Sequence, residues 1–269
     1  MGRLTRAARP GTARRTGRAG HDVAVTASRT PTHRPRGRTA TAALLGLTAL
    51  ALTACGSHDS APALPTLGPV VQPKTQDGAP VPDVTALRNS LLEVSQLPSG
   101  YTSLGDPPTG STTGAGTNTV PAQCSKVLAP IAEQATNAAT RAAAQYGGPD
   151  FDSIDIDAAA YANGGAGQAF STVQALLRAC ASYSSTDPDG TKVEYQVGGL
   201  EQPGAGDASF AFRVHTTSQG LTLYSAVTVT QVGSTVVQLS ISGAKEPDPQ
   251  QLTALTAAQV RKLRGEPGP

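Results

Sequence analysis

The sequence contains no tryptophan, one methionine, four phenylalanines and six tyrosines. Because large aromatic side chains are so scarce, a hydrophobic core has to be built mainly from alanine, valine and leucine. Glycine (29) and proline (21) together approach a fifth of the 269 residues, a composition that favours turns and segments that bury little surface. The length suits one large domain or two small ones.

Residues that carry catalytic chemistry are also scarce. The chain has four histidines and three cysteines, and only His215 falls within the regularly patterned C-terminal part. A Ser–His–Asp or Cys–His site could use only this histidine, and no serine lies in a nucleophile-elbow motif. A zinc site would lack ligands for the same reason. We therefore interpret His215 as a half-exposed strand residue and predict no enzyme activity, no cofactor and no metal site.

The strongest electrostatic feature is the acidic run Asp150, Asp152, Asp155 and Asp157. In a strand, Asp155 and Asp157 would project from one face and Asp152 from the opposite face. A calcium site requires six or more oxygens that converge from a loop, and strand alternation separates these carboxylates. We interpret the run as a solvated strand edge.

Only the N-terminal part of the chain carries a net positive charge. Ten of the 21 basic residues are arginines between Arg3 and Arg38, where the only acid is Asp22. From Cys55 onward, 18 acidic residues outnumber 11 basic ones, which gives this part a net charge of −7. An acidic domain repels phosphate, so we predict no nucleic-acid partner.

The segment from Thr39 to Ala54 is apolar and uncharged. It is shorter than the roughly 20 residues of a membrane-spanning helix, but it suits the core of a secretory signal peptide preceded by arginines. Its end, Leu52-Thr53-Ala54-Cys55, resembles the lipobox of bacterial lipoproteins. The resemblance implies transfer of diacylglycerol to the Cys55 thiol and cleavage before it. The alternative, a cysteine buried on a short core helix, leaves the preceding arginines unexplained.

The predicted organisation is, in chain order, a lipoprotein signal peptide, a proline-rich tether, one folded domain and a disordered tail: residues 1–54, 55–82, 83–264 and 265–269. The leader is long for a signal peptide when it starts at Met1. Alternative bacterial start codons would be translated as valine, so Val23 and Val25 are candidate starts. The tether lacks apolar periodicity, which predicts an extended segment that holds the domain away from the membrane.

The folded domain has the patterns of four helices and five strands. Apolar spacing and capping signals predict helices over Asp83 to Leu97, Pro121 to Gln145, Gln168 to Tyr183 and Asp248 to Gly265. Alternating runs predict strands over Phe151 to Ala158, Thr191 to Leu200, Asp207 to Thr217, Leu221 to Val232 and Thr235 to Gly243.

The turn signals between the strands favour consecutive antiparallel pairing. Val232-Gly233-Ser234-Thr235 predicts a tight hairpin. The predicted fold class is α+β, with an antiparallel sheet of about five strands and helices packed mainly on one face.

Two cysteines remain once Cys55 is assigned to lipidation. Cys124 and Cys180 would lie in an exported domain, where disulfides persist. We predict that they form one disulfide, which joins the second predicted helix to the third. Two free buried thiols are the alternative, and the absence of a CxxC spacing disfavours a reactive pair.

The order of motifs along the chain resembles that of a known family. The lipobox and tether are followed by "LRNSLLEVSQLPSGY", a cysteine at a helix start, "AFSTVQALLRACASY" and closing strands that include "VTVTQVGSTVVQLSISG". Over roughly Asp83 to Leu263 this resembles small actinobacterial sensor-domain lipoproteins and the extracellular domain of PknH-like receptor kinases. The resemblance implies an α+β domain with a cleft for an unidentified ligand. Family members generally carry two disulfides and a tryptophan beside the later cysteine, whereas this sequence offers one pair and no tryptophan.

Two functions of different classes follow as expectations. The first is a lipid-anchored protein on the outer, extracytoplasmic face of the cell membrane that binds or senses a small-molecule or lipidic ligand of the cell envelope. The alternative is a protein-interaction or structural lipoprotein that docks on an envelope protein. A pocket would favour the first function, and a flat apolar patch would favour the second.

Overall fold

The computed structural model describes residues 63–75, 78–105 and 118–267. The predicted signal peptide, the lipidation residue Cys55, the first part of the predicted tether and the last residues of the predicted tail lie outside these ranges. Within the described ranges, no helix is long and apolar enough to cross a membrane.

In the part of the chain that the structure describes, the strands form one antiparallel sheet of eight strands in the order β1-β2-β3-β8-β7-β6-β5-β4. In chain order they are β1 Thr102–Ser103, β2 Thr140–Gly147, β3 Ser153–Ala160, β4 Ser182–Thr186, β5 Lys192–Gly199, β6 Ala208–Ser218, β7 Leu221–Val232 and β8 Thr235–Gly243. Two meanders, β1 to β3 and β4 to β8, are joined where β3 pairs with β8. The predicted hairpin is confirmed, because Val232 pairs with Thr235 across it.

Four α-helices accompany the sheet in the described ranges: α1 Val84–Asn89, α2 Ile131–Gln134, α3 Gly165–Ala179 and α4 Pro249–Leu263. The predicted N-cap of α1 is confirmed, since the Asp83 carboxylate accepts a hydrogen bond from the Ala86 backbone N–H at 2.8 Å. The Asp248 carboxylate caps α4 in the same way, from the Gln250 N–H at 2.9 Å. These local signals place the helix starts.

The helices cover both faces of the sheet, so the prediction that they pack mainly on one face is wrong. On one face, α2 and α3 bury Ile131 and Phe170 against the sheet. On the other face, α1 and α4 bury Leu87 and Leu252. The central strand β7 is therefore buried without interruption from Ser225 to Val232, as expected for a strand that is covered on both sides.

The prediction of about five strands is also wrong, since the sheet has eight. The five predicted strands are present as β3 and β5 to β8. The three strands that the sequence did not predict are β1, β2 and β4. Strand β2 replaces the second half of the helix predicted over Pro121 to Gln145, of which only a 3₁₀ turn at Ala122–Lys126 and the short α2 remain helical.

Strand β2 forms from an alanine-rich segment with high helix propensity. It pairs with β3 in unbroken register from Thr140 opposite Ala160 to Gly147 opposite Ser153. Its Tyr146 hydroxyl donates to the Leu92 carbonyl at 2.5 Å. Propensity is a weak preference, and here a full ladder of cross-strand hydrogen bonds overrides it.

The described part of the predicted tether packs along the domain. Residues 63–75, which we call the strap, have no regular secondary structure and pack against β5 and α3. Further along, the carbonyls of Pro80 and Pro82 accept hydrogen bonds from the hydroxyls of Ser234 and Thr140. Chain that packs on the domain thus begins ahead of Asp83, because side chains of the domain satisfy the backbone groups of this segment.

Candidate functional site

A cleft of about 430 Å³ lies between the strap, α3 and the loop that joins β5 to β6. The strap contributes Leu67 to its lining, α3 contributes Leu177, and the start of β6 contributes Phe210. This volume is within the range of roughly 300–1,000 Å³ that small-molecule sites occupy. The cleft is therefore the candidate functional site.

The apolar part of the cleft continues the hydrophobic core. Leu177 is buried in the cluster between α3 and the sheet, and Leu67, Val71 and Phe210 pack against that cluster. The Phe210 ring lies edge-on to Phe170, with ring centroids 5.0 Å apart. These contacts connect the cleft wall to the hydrophobic core.

Polar groups lie around the apolar lining. The Arg178 guanidinium donates to the Gly68 carbonyl of the strap, a contact that uses one of its five donors. Glu201, Gln202 and Ser209 come from the β5–β6 loop and the start of β6. The combination of a mostly apolar lining with a few polar groups is typical of sites for small organic ligands.

A second, smaller cavity of about 80 Å³ adjoins the cleft and shares Gln202, Ser209 and Phe210 with it. The rest of its lining comes from the β5–β6 loop, β7 and α4, and the hydroxyls of Thr228 and Thr256 are hydrogen-bonded at 2.8 Å. This cavity is too small for a ligand of ordinary size and extends one end of the cleft.

The acidic run lies apart from the cleft. Its interpretation as a solvated strand edge is wrong for Asp155 and Asp157, because β3 is an interior strand between β2 and β8 and both side chains are partly buried, whereas Asp150 precedes β3 and is exposed. The Asp157 carboxylate accepts a hydrogen bond from the Ile131 N–H at the start of α2 at 2.6 Å. Burial raises the pKa of Asp157 to about 6 and also raises the pKa of Asp155. The sequence alone did not show that β3 would lie between two other strands.

His215 lies on β6, where its side chain is 14% exposed and its Nε2 is 2.6 Å from Oε1 of Glu246. Arg213 approaches the other oxygen of this carboxylate at 3.8 Å, and the Tyr224 ring lies edge-on to the imidazole. A histidine oriented by a carboxylate is one part of a nucleophilic site, but its hydrogen-bond and ring contacts among the described residues are Glu246 and Tyr224, neither of which is a serine or cysteine nucleophile. Within the described ranges, no three His, Cys, Asp or Glu residues come together as a metal-binding group.

The predicted disulfide is confirmed. Cys124 and Cys180 are bonded, with their Cα atoms 5.5 Å apart. The bond links the 3₁₀ turn of Ala122–Lys126 to the C-cap of α3, the helix that supplies Arg178 to the cleft. The prediction succeeded because only two cysteines remained once the one at the end of the apolar leader was set aside.

The fold and cleft define an α+β domain with one antiparallel sheet, helices on both faces and a lateral pocket. Among solved structures, the chain is similar to the extracellular domain of PknH from Mycobacterium tuberculosis, with a TM-score of 0.53 and 14% sequence identity over 70% of this chain and 100% of that one. At this identity the similarity establishes a shared fold. It is the fold that the sequence motifs implied.

An Rv0999 ortholog from Mycobacterium smegmatis is similar at a TM-score of 0.33 and 16% identity, over 67% of this chain and 97% of that one. A similarity at this level carries no further inference. No protein-family model and no curated protein matches the sequence.

Proposed function

We propose that this protein is a lipid-anchored, extracytoplasmic binding module that takes up a small amphiphilic ligand of the cell envelope in the cleft beneath the strap. The observation that carries the proposal is the cleft of about 430 Å³ with its apolar floor and its arginine. The export signal, the lipobox-like end at Cys55 and the disulfide support the location. The fold shared with an extracellular domain is consistent with it.

The lining favours one chemical class of ligand. Leu67, Leu200 and Phe210, which line the cleft and are only partly buried, offer an apolar surface to a hydrocarbon or ring system. One N–H group of Arg178 donates to the strap, and its other N–H groups can donate to a ligand. A guanidinium binds carboxylate or phosphate well. A ligand with an apolar body and an anionic head satisfies both parts.

Binding of a fluorescent fatty acid, cis-parinaric acid, to the purified mature protein tests this ligand class. We expect saturable binding that is weakened about tenfold by Arg178→Gln, which removes a charge-assisted hydrogen bond. Ala211→Leu should weaken binding similarly by filling the cleft from β6. The matched control is Arg141→Gln, an exposed arginine on β2 that does not line the cleft.

Thermal unfolding of each variant shows whether the fold is intact. Equal affinity of the wild type, Arg178→Gln and Ala211→Leu would place the fatty acid elsewhere and contradict the proposal. The absence of saturable binding to the wild type would overturn the proposed ligand class.

One observation favours the alternative function, a protein-interaction lipoprotein. Large apolar side chains are exposed near one end of the sheet, with Phe151 97% and Leu104 63% exposed. Chemical cross-linking from Phe151, replaced by a photoreactive phenylalanine, tests whether an envelope protein docks there. A photoreactive residue at a second position then reports docking in a Phe151→Ser variant. If this variant retains every cross-link formed from that position, docking does not depend on Phe151 and the alternative is contradicted.

A further inference from the structure

The strap is held by side-chain amides that bind its backbone. Gln174 of α3 accepts a hydrogen bond from the Val71 N–H at 2.9 Å and donates to the Val71 carbonyl at 2.8 Å. Gln231 of β7 does the same for Lys74, at 3.2 Å and 2.7 Å. Each glutamine thus replaces both hydrogen bonds that a neighbouring strand would make to one residue.

These two glutamines are built into the domain as fixed groups. Gln174 is 5% exposed and Gln231 is 1% exposed. Their spacing along the strap is three residues, which is one turn of a polyproline II helix. In that conformation, residues three apart lie on the same side of the chain, so Val71 and Lys74 would both face the glutamines of the domain. The spacing therefore suits this backbone conformation.

Glycines let the strap approach β5 closely. The Gly199 N–H donates to the Pro65 carbonyl at 2.7 Å. A Cβ atom on Gly199 would overlap the Thr66 carbonyl, and one on Gly198 would overlap the Leu64 side chain. The absence of side chains at these two positions of β5 therefore leaves a channel that the strap backbone fills.

The side chains of the strap make few contacts that would require a particular sequence. Most of its residues are exposed, and its larger partly buried side chains are Leu64, Leu67 and Val71. The contacts to Val71, Lys74 and Pro65 are made to backbone atoms, which every peptide has. The groove thus recognises an extended backbone with apolar residues at a few positions, whatever the rest of its sequence.

We propose that this groove, formed by Gly198, Gly199, Gln174, Arg178 and Gln231, is a binding site for an extended, proline-containing apolar peptide. The strap is its resident ligand in cis, and the same groove accepts such a segment of a partner protein in trans. Because strap residues also form one wall of the cleft, exchange of the strap for a partner peptide changes the cleft. The inference depends on the strap contacts and stands independently of the proposed cleft ligand.

A full-length variant with residues 64–74 replaced by glycine and serine, the strap-blank variant, tests binding in trans. The probe is a fluorescein-labelled synthetic peptide with the sequence of residues 63–75, and the readout is fluorescence anisotropy. We expect saturable binding to the strap-blank variant. Binding to the wild type should be at least roughly tenfold weaker, because a tethered strap competes at a high effective concentration.

Matched substitutions in the strap-blank variant identify the groove. Gln174→Ala and Gln231→Ala should each weaken peptide binding on the order of tenfold, because each removes two hydrogen bonds. Gln196→Ala, at an exposed position on β5, is the control and should leave the affinity unchanged. A peptide of the same composition in scrambled order should bind at least roughly tenfold more weakly, since its apolar residues no longer match the groove.

Amide hydrogen exchange in the wild-type protein provides a test that needs no variant. The N–H groups of Val71 and Lys74 donate to the glutamines and so report docking of the strap directly. We expect them to exchange more slowly than in the free peptide but much faster than the amides of β7 and β8, because the strap opens separately from the sheet.

Three results would overturn the proposal. One is exchange of the Val71 and Lys74 amides at the rate of β7 and β8, which would make the strap a permanent part of the core. Another is the absence of peptide binding by a strap-blank variant whose circular dichroism matches the wild type. The third is a wild-type dimer that disappears in Gln174→Ala, which would assign the groove to the strap of a second copy instead of a partner.

Discussion

At the scale of single residues, buried glutamines hold the irregular parts of this chain in place. Besides the two that bracket the strap, Gln259 of α4 accepts from the Leu92 N–H at 3.0 Å and donates to the Ser90 carbonyl at 2.7 Å. A primary amide can both donate and accept, so one side chain satisfies two backbone groups that have no strand partner. This explains how segments without regular structure pack on the domain.

Folding changes the ionisation of Asp157, a carboxyl group on the interior strand β3. Burial is the main cause of the raised pKa of Asp157. The hydrogen bond from the Ile131 N–H lowers this pKa, the negative charge of Glu133 raises it, and the positive charge of Arg141 lowers it. The resulting pKa is about 6, against an ordinary value of 3.8. The folded state therefore binds this proton more tightly than the unfolded state, and the corresponding stability is lost as the pH rises from 3.8 through 6.

We expect Asp157→Asn to remove this pH dependence. An asparagine can still accept from the Ile131 N–H, but it carries no buried charge. Relative to the wild type, the variant should gain about 2 kcal/mol in unfolding free energy between pH 4 and pH 7, from 1.36 kcal/mol per pKa unit. Urea unfolding at a series of pH values measures this difference. Asp150→Asn, at an exposed position, is the control, and parallel pH profiles for wild type and Asp157→Asn would contradict the prediction.

At the scale of secondary-structure elements, the strap depends on the two glycines of β5. We expect Gly199→Ala to undock the strap, because the added methyl group overlaps the Thr66 carbonyl. Hydrogen exchange should then speed up at least roughly tenfold at the Val71 amide, while the amides of β7 and β8 change little. Gly204→Ala is the matched control, since a Cβ at that position meets open space. Unchanged exchange at Val71 in Gly199→Ala would show that the channel is wider than the structure indicates.

The disulfide joins the 3₁₀ turn of Ala122–Lys126 to the C-cap of α3. It closes a loop with a sequence separation of 56, for which the chain-entropy account gives roughly 4 kcal/mol. We expect the double substitution Cys124→Ser and Cys180→Ser to lower the unfolding free energy by about 2–4 kcal/mol, as measured by urea unfolding. The wild type under reducing conditions should behave like the double variant. A reduced wild type as stable as the oxidised one would contradict this prediction.

At the scale of the whole molecule, the proposed anchor and the cleft are separated by a short stretch of sequence. The proposed anchor is Cys55, and the strap that forms a wall of the cleft begins at residue 63. Because an extended chain spans at most about 3.5 Å per residue, the connection between them has a contour length of at most about 30 Å.

The anchor itself is a testable prediction. We expect Cys55→Ser to abolish acylation and cleavage, so that the precursor accumulates and the mature, detergent-soluble form disappears. Mass spectrometry of the N-terminal peptide measures both effects, and Ser57→Ala is the control that keeps the cysteine. A Cys55→Ser protein that is still processed at the same bond and extracted with the membrane would refute lipidation at this residue.

The sequence by itself determined the elements whose signals are local. Asp83 and Asp248 mark helix starts, Val232 to Thr235 marks a hairpin, and alternation marks β3 and β5 to β8. These features depend on neighbouring residues, which a sequence shows directly. The disulfide could be predicted for a simpler reason, since only two cysteines remained to form it.

The tertiary structure alone decided what depends on contacts between distant segments. The pairing of β3 with β8 encloses Asp157, and pairing with β3 makes the alanine-rich segment of β2 a strand despite its helix propensity. The cleft brings together the strap, α3 and β6, whose lining residues are widely separated in the chain. No local pattern records such contacts, because the free energy that selects them comes from hydrogen bonds and buried surface shared between elements.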